Sequence, residues 1–177
     1  MGPSTTFGRQ PPTTAKNVKT KAGSNDSVEF AIKMPGKDDT NGVLWLPIDA
    51  KFPTEVYQAL SAAYDSGDTA ILEAAKKELT NNIKRNAKYI ADKYIDPPNT
   101  TDFGIMFLPF ESLYAEVLRI PGLFEQVQRE YKITITGPTT ISALLNSLQM
   151  GFKTLAIGKR SSEVWQLLGA VKTEFSN

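Results

Sequence analysis

Two short apolar runs and the turn between them set the frame for this chain. In Val28-Glu29-Phe30-Ala31-Ile32-Lys33-Met34 the large apolar side chains fall on alternate positions, the repeat of a strand. Pro35-Gly36-Lys37-Asp38-Asp39-Thr40-Asn41-Gly42 is turn-forming throughout, and a second apolar run extends from Val43 to Phe52. Together they predict an antiparallel hairpin. Pro53 stops the second strand, and Thr54 is placed to cap a helix running to about Tyr64.

Ser66-Gly67-Asp68 breaks that helix and supplies a new N-cap. Ile71, Leu72, Ala75, Leu79, Ile83, Ile90 and Tyr94 then follow the three-and-four spacing of one long amphipathic helix, ended by Pro97-Pro98. Phe103 to Leu108 is short and uniformly apolar, as expected of a central strand buried on both faces. Short helices are expected over 111–119 and 122–130, separated by Pro121, and a further strand over 133–136. Helices over about 139–152 and 161–175 close the chain. This alternation predicts an α/β fold with a mixed central sheet of at least four strands flanked by helices, its two later strands parallel neighbours.

The chain has 177 residues, the size of one globular domain. Residues 1–27 are rich in Thr, Pro, Gly and Lys and read as an irregular basic arm, which leaves 28–177 as a single α/β domain. Residues 1–25 carry Arg9, Lys16, Lys19 and Lys21 with no acid; that is +4 against a net charge of +1 for the whole chain. Such an arm either reaches phosphates or is a solvated tail. No run approaches the roughly 18 apolar residues of a membrane span, and no signal-peptide pattern opens the chain, so the expected setting is the cytoplasm without a membrane.

Composition enters the argument through two absences. With 0 His and 0 Cys, the chain cannot use Ser-His-Asp or Cys-His catalysis, thiol redox chemistry or His- or Cys-ligated zinc. Chemistry falls to carboxylates, Lys, Arg, Tyr, hydroxyls and backbone, and a bound metal would be a hard, oxygen-ligated cation. In Pro47-Ile48-Asp49-Ala50-Lys51-Phe52-Pro53, Asp49 and Lys51 project from one face of a strand while Ile48, Ala50 and Phe52 take the other. Glu29 lies on the polar face of the preceding strand. A suitable hairpin register brings Glu29, Asp49 and Lys51 together. Glu29 and Asp49 would then hold Mg²⁺ (or Mn²⁺), and Lys51 would orient water and stabilise a scissile phosphate. A plain surface lysine–carboxylate cluster uses the same residues.

These blocks carry a resemblance. The segments 28–36 and Leu46-Pro47-Ile48-Asp49-Ala50-Lys51-Phe52-Pro53 look like the core of the RmuC family of bacterial DNA recombination proteins. Phe103-Gly104-Ile105-Met106-Phe107-Leu108-Pro109 with Glu111, Gly137-Pro138-Thr139-Thr140 and residues 144–152 extend the likeness, which runs from about Asn17 to Phe175. The resemblance implies a restriction-endonuclease-like core of the PD-(D/E)XK superfamily, with Asp49 and Lys51 matching the motif's acid and lysine and Glu29 its other acid. It implies a magnesium-dependent DNA nuclease acting on recombination intermediates, or a DNA-binding or scaffold module that keeps the nuclease fold without cleaving. Members of the family usually begin with a membrane anchor and a long coiled coil, then a helix bearing an active-site glutamate; none is visible here. The chain is therefore expected to be a fragment or short form, whose full-length parent is anchored at the inner membrane and can form homo-oligomers.

Other residues are open to two readings. Lys77, Lys84 and Lys88 share one face of the long helix, either as a DNA-binding surface or as a solvated face. Glu111 can enter a site from the sheet's C-terminal edge or complement the dipole of the helix it begins. Gln149 and Lys153, a turn apart on one helix, are further candidates in a nuclease-like core. Residues 136–140 can offer free amides to a phosphate or be ordinary helix capping. Trp45, Phe107, Phe124, Trp165 and Phe175 are expected in the core rather than as base-stacking platforms.

Overall fold

A computed structural model of the chain describes residues 12–36 and 42–155. The expected hairpin is present as β2 (Val28–Pro35) and β3 (Val43–Ala50), antiparallel, with Phe30 opposite Ile48 and Met34 opposite Leu44. The Gly36 N–H closes the turn by donating to the Gly42 carbonyl at 2.8 Å. Strands β4 (Gly104–Phe107) and β5 (Ile133–Thr136) add to β3 in parallel, as the helical connections required.

A fifth strand corrects the expectation of an irregular arm at residues 13–18. Strand β1 (Thr13–Val18) pairs antiparallel with β2, giving the order β1-β2-β3-β4-β5. Its sequence is mostly polar and exposed, so it lacks the apolar alternation that marks a half-buried strand. Backbone pairing to the free edge of β2 holds it instead. The segment after it is tied to the far end of the long helix: the Thr20 hydroxyl donates to the Tyr94 carbonyl at 2.7 Å, and the Lys21 ammonium to the Asp92 carbonyl at 3.0 Å.

Helices cover both faces of the mixed sheet. On one lie α1 (Thr54–Ser66), α2 (Thr69–Tyr94), α3 (Glu111–Arg119) and α4 (Leu123–Tyr131), packed through Leu60, Leu79, Ile83, Ile90, Leu113 and Val127 onto Ala31, Met106 and Ile135. On the other, α5 (Pro138–Leu155) buries Leu144, Leu148 and Phe152 against Ile32, Leu46, Ile48 and Ile105. The Asp68 carboxylate caps α2 by accepting from the Ala70 and Ile71 N–H groups, as expected. The cap of α1 is Pro53, not Thr54, whose hydroxyl turns back to the Phe52 carbonyl. Strands, order and covering helices match a restriction-endonuclease-like core. The helix expected over 161–175, with Trp165 and Phe175, lies outside the described residues. No helix among the described residues is long and apolar enough to cross a membrane.

A proline in the middle of the sheet needs a remedy, because it cannot donate to the ladder. Odd positions of β3 direct their amides toward β4: Trp45 donates to the Asn99 carbonyl at 3.0 Å and Lys51 to the Phe107 carbonyl at 2.9 Å. Stepping back from Lys51 and Phe107 in twos brings Pro47 level with the Phe103 carbonyl. The buried Thr101 hydroxyl donates to that carbonyl at 2.6 Å in place of the missing amide. Thr101→Val keeps the shape and removes the donor. It is expected to destabilise the fold by about 0.5–1.5 kcal/mol, the net worth of one hydrogen bond, read as a lower urea midpoint at unchanged m-value.

Candidate functional site

The hairpin register fixes how far β2 and β3 pair along the polar face. The β2–β3 register ends at Phe30 opposite Ile48, and the β1–β2 register passes over Asn17, whose φ is +52°, so Glu29 lies where both ladders are interrupted. Asp49 is level with Met106 of β4. Asp49 lies on the α2 side of the sheet, buried at 7% exposure; Glu29 is exposed, and because Val28 and Ala31 both pack in the α2-side core, strand alternation does not carry Glu29 onto that face.

Lys51 follows at the C-terminal end of β3, its ammonium 3.0 Å from Asp49 Oδ2. The approach satisfies an ion pair but not the angles of a hydrogen bond, so this buried carboxylate oxygen has no hydrogen-bond donor. An oxygen held in this way is a ready ligand for a cation.

Helix α2 completes the surroundings with residues that the sequence reading did not single out for chemistry. The Tyr89 ring lies 4.6 Å from the Lys51 ammonium and 4.8 Å from that of Lys93, within the range of cation–π attraction for both. Lys93 is bound in turn to Asp26 at 3.0 Å. That bond holds the Asp26 carboxyl below its ordinary range and raises the Lys93 ammonium. Tyr94 meets Tyr89 edge-on at 6.1 Å. Burial, followed by the Tyr89 hydroxyl and the charge of Asp49, pushes the Tyr94 phenol well above its ordinary value, so it stays protonated. The one available signal was Tyr89 and Lys93 spaced four apart on a helix.

The remaining candidates scatter. Lys77 and Lys88 are exposed and Lys84 half-buried; Lys88 is paired with Asp92 at 2.6 Å, a bond that raises its ammonium. At about 100° per residue, Lys84 lies on the opposite side of α2 from Lys93, so the lysine stripe and the Asp49–Lys51 cluster are separate surfaces. Gln149 is exposed on α5, whose apolar stripe packs on the other face of the sheet. The structure does not bring it to Asp49. Lys153 falls on the same helix, and its side chain lies outside the described residues. Glu111 does sit at the sheet's C-terminal edge, but its carboxylate accepts the Thr139 N–H at the start of α5. That and the Thr140 hydroxyl, bonded to the Gly137 amide at 2.7 Å, use helix-opening groups that a phosphate would need. Trp45 and Phe107 are half-buried and Phe124 is buried, as expected of core residues.

The cluster suits a hard divalent cation in donor type: a buried Asp49 oxygen without a hydrogen-bond donor, with Glu29 the acidic residue of the neighbouring strand. Magnesium is commonly held by one or two carboxylates with water filling the other positions. Among the described residues no group of three or more acidic side chains gathers, so a two-carboxylate site is the most this part of the chain offers.

Comparison with known proteins finds sequence relatives along nearly the whole chain. The RmuC family model matches residues 8–177. The DNA recombination protein RmuC homologs of Xylella fastidiosa strains Temecula1 and 9a5c are each 52% identical over 161 residues, covering 91% of this chain and 35% of their own. The homolog of that name from Pseudomonas aeruginosa is 22% identical over 166 residues, covering 92% of this chain and 34% of its own. The chain therefore spans about a third of the length of these curated relatives. No solved structure matches it.

The Glu111 bond has a measurable pH signature. The Thr139 backbone N–H, and then its side chain, lower the Glu111 carboxyl below its ordinary value. A group depressed in the folded state contributes stability above its unfolded pKa and loses it as pH falls through the folded value. Glu111→Gln is therefore expected to lower the melting temperature at pH 7 and to narrow the gap to wild type on acidification from pH 5 to 2.5. Melting curves across that range check it.

Proposed function

This chain belongs to the RmuC family, and from that footing we propose that its Asp49–Lys51 edge is a divalent-cation-dependent phosphodiesterase site acting on DNA recombination intermediates. The observation that carries the reading is the buried Asp49 carboxylate, one oxygen lacking a hydrogen-bond donor, with the Lys51 ammonium 3.0 Å away. Asp49 and Glu29 would hold magnesium or manganese, which supplies Lewis acidity toward a phosphoryl oxygen and a more acidic bound water.

The chain's own groups account for the rest. Lys51 offers a positive charge beside the scissile phosphate, where it stabilises the charge that builds up on the phosphoryl oxygens. Tyr89 holds that ammonium from the α2 side without neutralising it. Tyr94, buried and protonated, keeps the floor of the site uncharged beyond Asp49. Lys93, across the Tyr89 ring, is a second cation within reach of a neighbouring phosphate. The name of the relatives, DNA recombination protein RmuC homolog, supports DNA as the substrate class.

A second reading keeps DNA binding and drops cleavage. It is favoured by the absence, among the described residues, of any third acidic group at the site. One experiment separates the two. Linear, nicked and hairpin DNA are incubated with the chain and Mg²⁺ or Mn²⁺, beside Asp49→Asn and Lys51→Ala variants. Cleavage is expected in wild type and should fall by roughly 100-fold or more in either variant, the scale of removing one charge-stabilising group, while DNA binding persists. DNA binding with no metal-dependent cleavage, even when the upstream part of a full-length relative is included, overturns the phosphodiesterase reading in favour of a binding module.

A further inference from the structure

Phe52 and Phe110 stand out on the molecule's surface. They are 42% and 48% exposed, yet their rings stack at 4.6 Å between centroids with 35° between planes. Phe52 was expected to turn inward with Ile48 and Ala50. It does not, because β3 ends at Ala50 and Pro53 opens α1.

The pair is held in place from both sides. The Lys51 amide donates to the Phe107 carbonyl, the Thr54 amide to the Phe52 carbonyl at 2.8 Å, and the Tyr114 amide to the Phe110 carbonyl at 3.1 Å. Tyr57 backs the Phe52 ring at 6.4 Å, and its hydroxyl meets that of Ser112 at 2.6 Å. Two aromatic rings held rigidly in water are a surface waiting for a flat apolar partner.

Its surroundings decide which partner. The exposed neighbours of the two rings in the chain are Thr54, Glu55, Glu111 and Ser112, all polar. A stable protein interface needs about 800 Å² on each side, far more than two half-exposed rings in a polar surround provide. A single nucleobase matches the size and shape. Lys51 immediately precedes Phe52, and Lys93 shares the Tyr89 ring with it, so cations for the adjoining phosphates lie along the same edge.

We propose that Phe52 and Phe110 form a stacking platform for an unpaired base at a DNA end or junction, beside the Asp49–Lys51 site. The proposal rests on reading that edge as a DNA site and adds the kind of DNA it takes: duplex with a frayed or single-stranded terminus. A base stacked there orients its strand relative to Lys51, so the platform selects substrate structure rather than sequence, every base having a π-face.

The test uses the 177-residue chain in EDTA, so that no cleavage is needed. The DNA is an overhanging duplex with 2-aminopurine at the unpaired end, compared with a blunt duplex. Wild type is expected to quench the overhang's fluorescence on binding. Phe52→Ala and Phe110→Ala should remove the quench and weaken overhang binding by roughly 5- to 100-fold, leaving blunt-duplex binding unchanged. Phe110→Trp should restore both, and unchanged circular dichroism and melting exclude misfolding. Wild-type quenching and affinity in the folded double alanine variant overturn the platform. So does a solution mass that drops from dimer to monomer in that variant, which assigns the pair to contact between copies. Quenching without metal-dependent cleavage supports the platform and overturns only the phosphodiesterase reading, whereas no DNA binding by wild type overturns both.

Discussion

Strand β3 has to satisfy two neighbours that run in opposite directions, and the architecture follows from how it does so. Toward β2 it pairs antiparallel along Val43–Ile48; toward β4 it pairs parallel only over Ile48–Ala50. The upstream half of that second edge is met by the loop at 99–101, through Trp45, and by the Thr101 hydroxyl where Pro47 has no amide to offer. Both faces of β3 are covered as well, which leaves Asp49 as a charged residue inside a strand otherwise suited to burial. Its position on the last turn of pairing is what makes that tolerable. One residue later the strand ends, and Lys51 reaches back to it from partly solvated ground.

A buried ion pair is poor evidence of stabilisation, since desolvation offsets much of the attraction. The Asp49–Lys51 pair is weaker still in this respect, because its geometry misses a hydrogen bond. It is part of a longer alternation: Asp49, Lys51, the Tyr89 ring, Lys93 and Asp26, each within contact of the next. A single aromatic ring thus holds two ammonium groups that would otherwise repel one another, each also paired with its own acid. The arrangement fixes where positive charge stands at the edge of the sheet more than it strengthens the fold.

Those parts of the fold governed by one local period were legible in the sequence. The β2–β3 hairpin, the helix from Thr69 to Tyr94, the buried β4 and the parallel β5 each follow from apolar spacing or from a proline or glycine stop. Strand β1 was not, because an edge strand needs only backbone partners and its side chains repeat nothing. The acid–lysine pair was legible because it lies on one strand, where alternation alone fixes which side chains share a face. Tyr89 and Lys93 were hidden for the converse reason: which helix flank meets which strand end is a tertiary fact. The same ignorance put Gln149 and Lys153 among the candidates, although the apolar stripe of α5 commits that helix to the opposite face of the sheet. For Glu111 the expectation named one helix and the structure uses two: the residue stands in the first turn of α3, and its carboxylate also accepts from the start of α5.

Net charge near zero also takes on a different meaning at this scale. The lysines that matter are individually partnered: Lys51 with Asp49, Lys93 with Asp26, Lys88 with Asp92. Within each of these pairs the opposite charges lie well inside a Debye length of about 8–10 Å and screen one another. On this molecule the C-terminal edge of the sheet is where a carboxylate without a donor, two ring-held ammonium groups and a pair of exposed phenyl faces meet. All of them depend on β3 ending where it does: a strand one turn longer would carry Phe52 inward and separate Lys51 from Tyr89.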